Sequence, residues 1–315
     1  MNNHPTRLRI AYHMLVFALV LLPCACKPEV PSDADCVTTV FGGPGFAPGE
    51  FSYPRAIAVS PVDGCVYVVD KSVPARVQRF SPKGEFERLW QMPESKNGKP
   101  TGLTVDRHNR VWVPDTHYAR VICYDRDGSE LFRFGSYGRG PGQFIFPTAV
   151  TLDRDENIYV CEYGGNDRIS KFSPDRRYLF SFADKSAGAG WTDRPQSILI
   201  DDHDILWVAD CCNHRICRYD HDGRFLSAFP IGGSEPGDIG YPYGIAFDKD
   251  DRLLVADRGN SRIVRFDEKG RVLSSWGTAG RNPGELLQPW GVAVGPDGRV
   301  YCLDSWNHRV QVIEW

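Results

Sequence analysis

One unit of sequence recurs six times, at a spacing too short for independent domains. A Pro followed by a short alternating run appears as Pro54-Arg-Ala-Ile-Ala-Val, Pro100-Thr-Gly-Leu-Thr-Val and Pro147-Thr-Ala-Val-Thr-Leu. It returns as Pro195-Gln-Ser-Ile-Leu-Ile, Pro242-Tyr-Gly-Ile-Ala-Phe and Pro289-Trp-Gly-Val-Ala-Val, and the intervals are 46, 47, 48, 47 and 47 residues. A second landmark keeps step, an apolar run closed by an acid with an Arg five or six residues on. The pairs are Asp70/Arg76, Asp115/Arg120, Glu162/Arg168, Asp210/Arg215, Asp257/Arg262 and Asp304/Arg309. A third apolar run follows each Arg. Polar turns such as Lys83-Gly84, Asp127-Gly128, Asp222-Gly223 and Lys269-Gly270 come next, with Asp175-Arg176 in the third copy. A fourth run ends in Phe134-Gly135 or Trp276-Gly277 and opens into a Gly-rich loop. Four short strands in a unit of this length are the signature of a propeller blade. One blade cannot bury both faces of its sheet, so blades must pack side by side and close into a ring.

The expectation is therefore all-β: a six-bladed β-propeller of four-stranded antiparallel blades over residues 36–315. Composition agrees, with 31 Gly, 23 Pro and only 3 Met suiting short strands and tight turns. The ends of the chain predict how the ring closes. The sixth unit stops at Val310-Gln-Val-Ile-Glu-Trp315, after its third strand, and the missing fourth run stands before the first unit as Cys36-Val-Thr-Thr-Val-Phe41-Gly42. Val37 to Phe41 should pair with Val310 to Ile313 and remove an open sheet edge. A net charge of −3 argues against a basic footprint for nucleic acid.

Residues 1–35 read as an address and a tether. Arg7 and Arg9 precede a nine-residue apolar run, Met14 to Leu22. That is too short for a bilayer, which needs about 20 residues, but suits the apolar region of a signal peptide. Pro23-Cys24-Ala25-Cys26 follows and resembles a bacterial lipoprotein signal, with Pro23 where Leu is usual and Cys26 as the lipidated residue. The competing reading is a strand or helix of the domain. Residues 1–25 are assigned to the signal and 26–35 to the tether. The expected location is exported, periplasm or cell envelope, with anchoring to the membrane by an N-terminal lipid.

The unit resembles the NHL repeat: Pro-x-Gly-Ile-Ala-Val, a strand ending Val-Ala-Asp, then Asn-x-Arg-Ile/Val and Asp-x-Gly. Asp304-Ser-Trp-Asn-His-Arg-Val310 and Asp257-Arg-Gly-Asn-Ser-Arg-Ile263 match closely. The resemblance implies the propeller fold and leaves activity open, because such folds host many functions.

The six acid–arginine pairs, alike in every copy, read as structural: each holds its turn by a charge-assisted hydrogen bond. Site candidates are sought where the copies disagree. The residue after each Pro should face the channel mouth, and these are Arg55, Thr101, Thr148, Gln196, Tyr243 and Trp290. Positions just beyond the acid add His117, Tyr118, Tyr163, Arg258 and Trp306. Arg55, Gln196, Tyr243, Trp290, His117 and Trp306 are the candidate ligand-binding residues. A mixed aromatic and cationic rim suits a saccharide, a peptide, another small organic ligand or a protein partner. Loop packing is the competing role. Replacing Tyr243 and Trp290 by Ala is expected to leave the melting temperature nearly unchanged.

Enzyme chemistry finds less support. The amidating lyases that share this blade type place a zinc-binding His directly after the Pro, and no copy here has one. His117, His214 and His308 fall in units two, four and six, but two of them lie in Asn-His-Arg, a common form of the repeat. Cys211-Cys212-Asn-His214-Arg-Ile-Cys217 has adjacent thiols that tend to point apart, so packing or a disulfide is favoured over a metal. With Cys24 and Cys26 set aside, eight cysteines remain, an even number with no legible pairing. No phosphate loop, Gly-x-Ser-x-Gly elbow or His-Glu-x-x-His is present, so no cofactor and no catalytic residue is assigned. Two classes stay open: a non-catalytic binding or scaffold module on the outer side of a bacterial membrane, and a metal-dependent lyase or hydrolase with a divalent cation in the channel.

Overall fold

The second strand of each repeat dictates the architecture. In a strand, alternate side chains point to opposite faces, yet Val66–Asp70, Val111–Asp115, Leu206–Asp210, Leu253–Asp257 and Val300–Asp304 are buried at every position. Both faces of each sheet must therefore be covered. A computed structural model shows how, describing Met1 and residues 33–94, 96, 98–230 and 238–315. The signal peptide and lipidation site at Cys26 lie outside the described residues, as does most of the tether.

Six four-stranded antiparallel sheets follow one another along the chain. Blade 1 comprises Pro54–Val59, Val66–Asp70, Arg76–Phe80 and Phe86–Gln91. Blades 2 to 5 repeat the order, each beginning with a Pro-led segment innermost. Six apolar clusters lie between the blades. Val66 and Val68 pack with Leu303 and Val310 of blade 6, whereas Tyr67 and Val69 pack with Val113 and Ile122 of blade 2. One strand thus feeds two cores, and neither core exists until the neighbouring blade arrives.

Closure is as the sequence predicts. Gly291–Val294, Val300–Asp304 and Arg309–Ile313 form three strands of blade 6, and Val37–Gly42 adds the fourth. Val37 lies opposite Ile313 and Gly42 opposite Arg309, with a bulge after Val37. The end of the tether is docked as well: Trp276 Nε1 donates to the Asp33 carbonyl at 2.9 Å, and Gly277 N to its carboxylate at 3.1 Å.

The acid–arginine pairs hold more than their own turn. Each acid side chain is at most 1% exposed and meets its Arg at 2.6–3.0 Å. In five copies the acid also accepts a backbone N–H from the segment leading into its blade, at Tyr53, Ile145, Asp193, Gly240 and Leu287. The arginines donate to carbonyls of the same lead-in loops, for example Arg262 to Asp238 and Arg309 to Glu285. Each pair therefore clips the inter-blade loop to the blade it enters, which explains its presence in all six copies.

Candidate functional site

A break in the ladder aims the candidate residues. The Pro that opens an inner strand sits opposite the acid of the second strand, as in Pro54 opposite Asp70, Pro195 opposite Asp210 and Pro242 opposite Asp257. Directly after each of these prolines the register shifts. A bulged residue leaves the ladder and its side chain is re-aimed. Arg55, Gln196 and Tyr243 stand at these breaks, and Trp290 at the equivalent place. All four line one cavity of about 260 Å³ that runs down the centre of the ring between the six inner strands. The small residue after Tyr243 brings the strands close: a Cβ on Gly244 would lie 2.7 Å from the Gly291 Cα.

Arg55, Tyr243 and Trp290 meet neighbours of two kinds: Arg258 and Tyr163, already noted in the sequence just beyond the acid, and Tyr53, Arg194 and Gln288, which were not singled out there. Trp290 is the hub: the Arg55 guanidinium lies 3.7 Å from its ring centre, the Tyr243 ring 4.7 Å and the Arg258 guanidinium 5.7 Å. Arg55 also lies 4.0 Å from the Tyr53 ring, and Arg194 stacks at 4.8 Å on Tyr163. Cation–π stacking holds each guanidinium plane while leaving its N–H edges available. Burial pulls the Arg55 guanidinium down to about 10, with the like charges of Arg258 and Arg194 adding to the effect and Tyr53 and Tyr243 opposing it. Burial raises Tyr243.

Among the described residues no carboxylate pairs with the Arg55, Arg194 or Arg258 side chains, in contrast to the six blade arginines. The Nε atoms of all three are buried without a hydrogen-bond partner, and Arg258 spends one Nη2 donor on Gln288 Oε1 at 2.6 Å. Tyr53, Arg194 and Gln288 immediately precede a Pro. That position varies between copies as much as the one after it, and reading it the same way would have found them.

The other candidates are placed differently. His117 and Trp306 sit on 3₁₀ turns, Thr116–Tyr118 and Ser305–Asn307, that follow the acids of blades 2 and 6. Both are exposed and neither lines the cavity; the His117 ring rests 5.6 Å from Phe146. Thr148 is fully buried and donates to the Pro195 carbonyl at 2.6 Å, so it joins blades 3 and 4. The expectation that Tyr243 and Trp290 can be cut to Ala at no cost to stability needs correcting. They are 6% and 7% exposed and belong to the blade 6–blade 1 core, and such truncations cost about 3–5 kcal/mol.

The metal candidates do not converge. No group of three or more His, Cys, Asp or Glu capable of holding an ion occurs among the described residues. His214 Nδ1 is hydrogen-bonded to the Gly240 carbonyl and its ring packs on Tyr241. The eight described cysteines are unpaired; Cys211 and Cys217 are buried and Cys212 is exposed.

Comparison with known proteins agrees with this frame. The NHL repeat family matches residues 192–219, 240–266 and 286–313, which fall in blades 4, 5 and 6. NHL repeat-containing protein 3 of Mus musculus is 28% identical over 170 residues, 49% of this chain and 48% of that protein. Protein brain tumor of Drosophila melanogaster is 24% identical over 42% of this chain and 13% of its own length. Peptidyl-glycine alpha-amidating monooxygenase of Mus musculus is 27% identical over 43% of this chain and 16% of its own. The match therefore spans about half the length of these relatives or less. Among solved structures, a streptogramin B lyase superposes with a TM-score of 0.64 at 17% identity, covering 88% of this chain and 97% of that one. Hydrazine synthase of Kuenenia stuttgartiensis gives 0.61 at 14% identity, covering 86% and 99%. At such identities the likeness is one of fold.

Proposed function

The chain is a six-bladed NHL-repeat propeller, and from that premise we propose that it is a non-catalytic binding module whose ligand or protein partner sits at the channel mouth ringed by Arg55, Gln196, Tyr243 and Trp290. The observation that carries this reading is the contrast between frame and mouth. Six blades repeat the same buried acid–arginine pair, whereas Arg55, Gln196, Tyr243 and Trp290, the residues after four of the six prolines, all differ and line one cavity. A structural frame has no need of that variety; a recognition surface does. The basic start, the apolar run and Cys26 support work outside the cytoplasm, in the periplasm or cell envelope, with a lipid anchor.

The test is a thermal-shift screen of small organic compounds and cell-envelope peptides, since a ligand of the native state raises its melting temperature. Gln196→Ala and Tyr243→Phe, chosen to spare the packing, should each lower the affinity of a compound so found. A ligand whose affinity neither change alters would reject the mouth. A cell fractionation in which Cys26→Ser leaves the protein's membrane association unchanged would reject the lipid anchor.

The second reading is an enzyme, a lyase or hydrolase using a divalent cation in the channel. It is favoured by the partial similarity to an amidating monooxygenase. The donors found here do not fit a His-based zinc site, because the residues after the six prolines are Arg, Thr, Thr, Gln, Tyr and Trp. Near-stoichiometric zinc or calcium in purified protein would favour the enzyme over the module.

A further inference from the structure

Resting on the proposal that the channel mouth is a binding site, we infer that its ligand is a small organic anion: a carboxylate head held by Arg55, Arg194 and Arg258, carrying an apolar body that enters the channel.

Charge balance is the first argument. The chain has 37 Lys and Arg against 40 Asp and Glu, so acids are not scarce, and the six blade arginines are each matched to a buried one. At the mouth the half-buried Arg55 and Arg258 guanidinium groups share the Trp290 ring, the half-buried Arg194 stacks on Tyr163, and no described carboxylate pairs with any of the three. Like charges held together out of bulk water are costly unless an opposite charge joins them. The pull of Arg258 and Arg194 on Arg55 is the same repulsion seen from one member. An anion would relieve it.

Donor geometry names the head. A guanidinium offers five N–H donors in a planar fork that matches a carboxylate. Among the described residues the Arg55 and Arg194 side chains make no hydrogen bond, and Arg258 uses one donor on Gln288. The ring faces of Trp290, Tyr53 and Tyr163 hold the forks without consuming those donors.

Below Arg55 the cavity wall carries apolar side chains, Leu103, Leu199, Phe247 and Val294 among them, beside Thr101, Thr104 and Ser197. A bare inorganic anion would leave that wall uncovered, whereas a phenyl or short alkyl body would cover it. At about 260 Å³ the cavity falls below the range of about 300–1,000 Å³ usual for drug-sized ligands, so the body is small. A nucleic-acid backbone would instead call for a broad basic surface, which a chain of net charge −3 does not provide.

The test uses the purified chain lacking residues 1–25 and isothermal titration with benzoate, 3-phenylpropionate and octanoate. The neutral amide and the amine of matching skeleton are run alongside, with inorganic phosphate. At least one carboxylate should bind, its amide about tenfold or more weaker and its amine not at all, and added NaCl should weaken the carboxylate. Arg194→Gln and Arg258→Gln should each cost about ten- to hundredfold, as expected for a hydrogen bond to a charged group. Wild-type circular dichroism is required of both variants, and the salt dependence of the unmodified protein is read independently of them. Equal binding of carboxylate and amide overturns the anion while leaving the mouth as a site. Tight phosphate binding with no carboxylate binding overturns the apolar body. Carboxylate binding unaltered by Arg194→Gln, Arg258→Gln and Tyr243→Phe overturns both the inference and the proposed site. Failure of all three carboxylates to bind overturns the inference.

Discussion

Gly84 shows how a single backbone conformation joins two blades. It takes φ of +83° in the turn between the third and fourth strands of blade 1, and a Cβ there would lie 2.4 Å from the Phe41 ring of the closing strand. Gly128, Gly223 and Gly270 make the same approach to Trp90, Phe182 and Phe229 of the preceding blades. In the third copy Arg176 holds φ at +67° and lays its guanidinium 4.4 Å from the Phe132 ring, so a cation–π contact replaces the close glycine–ring approach of those four copies. Gly84→Ala should lower stability by about 1–3 kcal/mol, from left-handed strain together with the clash. Denaturant midpoints will measure it, and an unchanged midpoint would mean that Phe41 moves aside freely. The residue scale also explains what sequence reading missed at the mouth. Tyr53 and Arg194 precede a Pro and resemble ordinary loop residues; only the folded loop brings them to the rings after the Pro.

Between elements, the recurring device is a charge clamp. On the blade 5 lead-in, Asp257 accepts from Gly240 N at 2.9 Å and from Arg262 at 3.0 Å. Asp257→Ala would strand a largely buried Arg, and breaking such a pair costs about 3–5 kcal/mol. Thermal melts should show a loss of that order, and Asp257→Asn a smaller one because the hydrogen bonds are partly kept. A second clamp lies at the turns between first and second strands, where Arg107, His108 and Arg110 of blade 2 meet Glu156 of blade 3. Hydrogen bonding from Arg110 leads in drawing the Glu156 carboxyl from 4.5 down to about 2. Its folded value lies below its unfolded one, so the stabilisation is present above about 4.5 and lost as pH falls towards 2. Stability measured from pH 6 to pH 2 should fall less steeply in Glu156→Gln than in the unmodified protein. Equal slopes would remove Glu156 from the acid response.

At the scale of the whole molecule, stability depends on closure. The strand Val37–Gly42 completes blade 6, and Phe41 is shared with the core against blade 1. Deleting residues 33–42 exposes the edge of Arg309–Ile313 and removes Phe41 from the core, so the truncated chain should melt well below the full one and associate through the open edge. Calorimetry and light scattering will report both. The Arg265 guanidinium, 4.1 Å from the Trp315 ring with a hydrogen bond of 2.8 Å to its carbonyl, holds the other chain end to blade 5 and cannot replace that strand.

Repeat length, blade number, strand order and the closing pair were legible in the chain alone, because a period of about 47 residues with four short apolar runs in each unit admits few solutions. The acid–arginine pairs were legible as structural because they recur identically. Their grip on the lead-in loops was not, since it joins segments that the repeat pattern leaves unpaired. The mouth was half legible: variation after each Pro pointed to Arg55, Gln196, Tyr243 and Trp290. Only the closed ring decided that the Arg258 guanidinium stacks on Tyr243 and Trp290 while His117 and Trp306 stay outside the cavity. Strand periodicity is a local property that sequence carries directly, whereas the meeting of side chains from different blades is set by ring geometry and exists only once the last strand is in place.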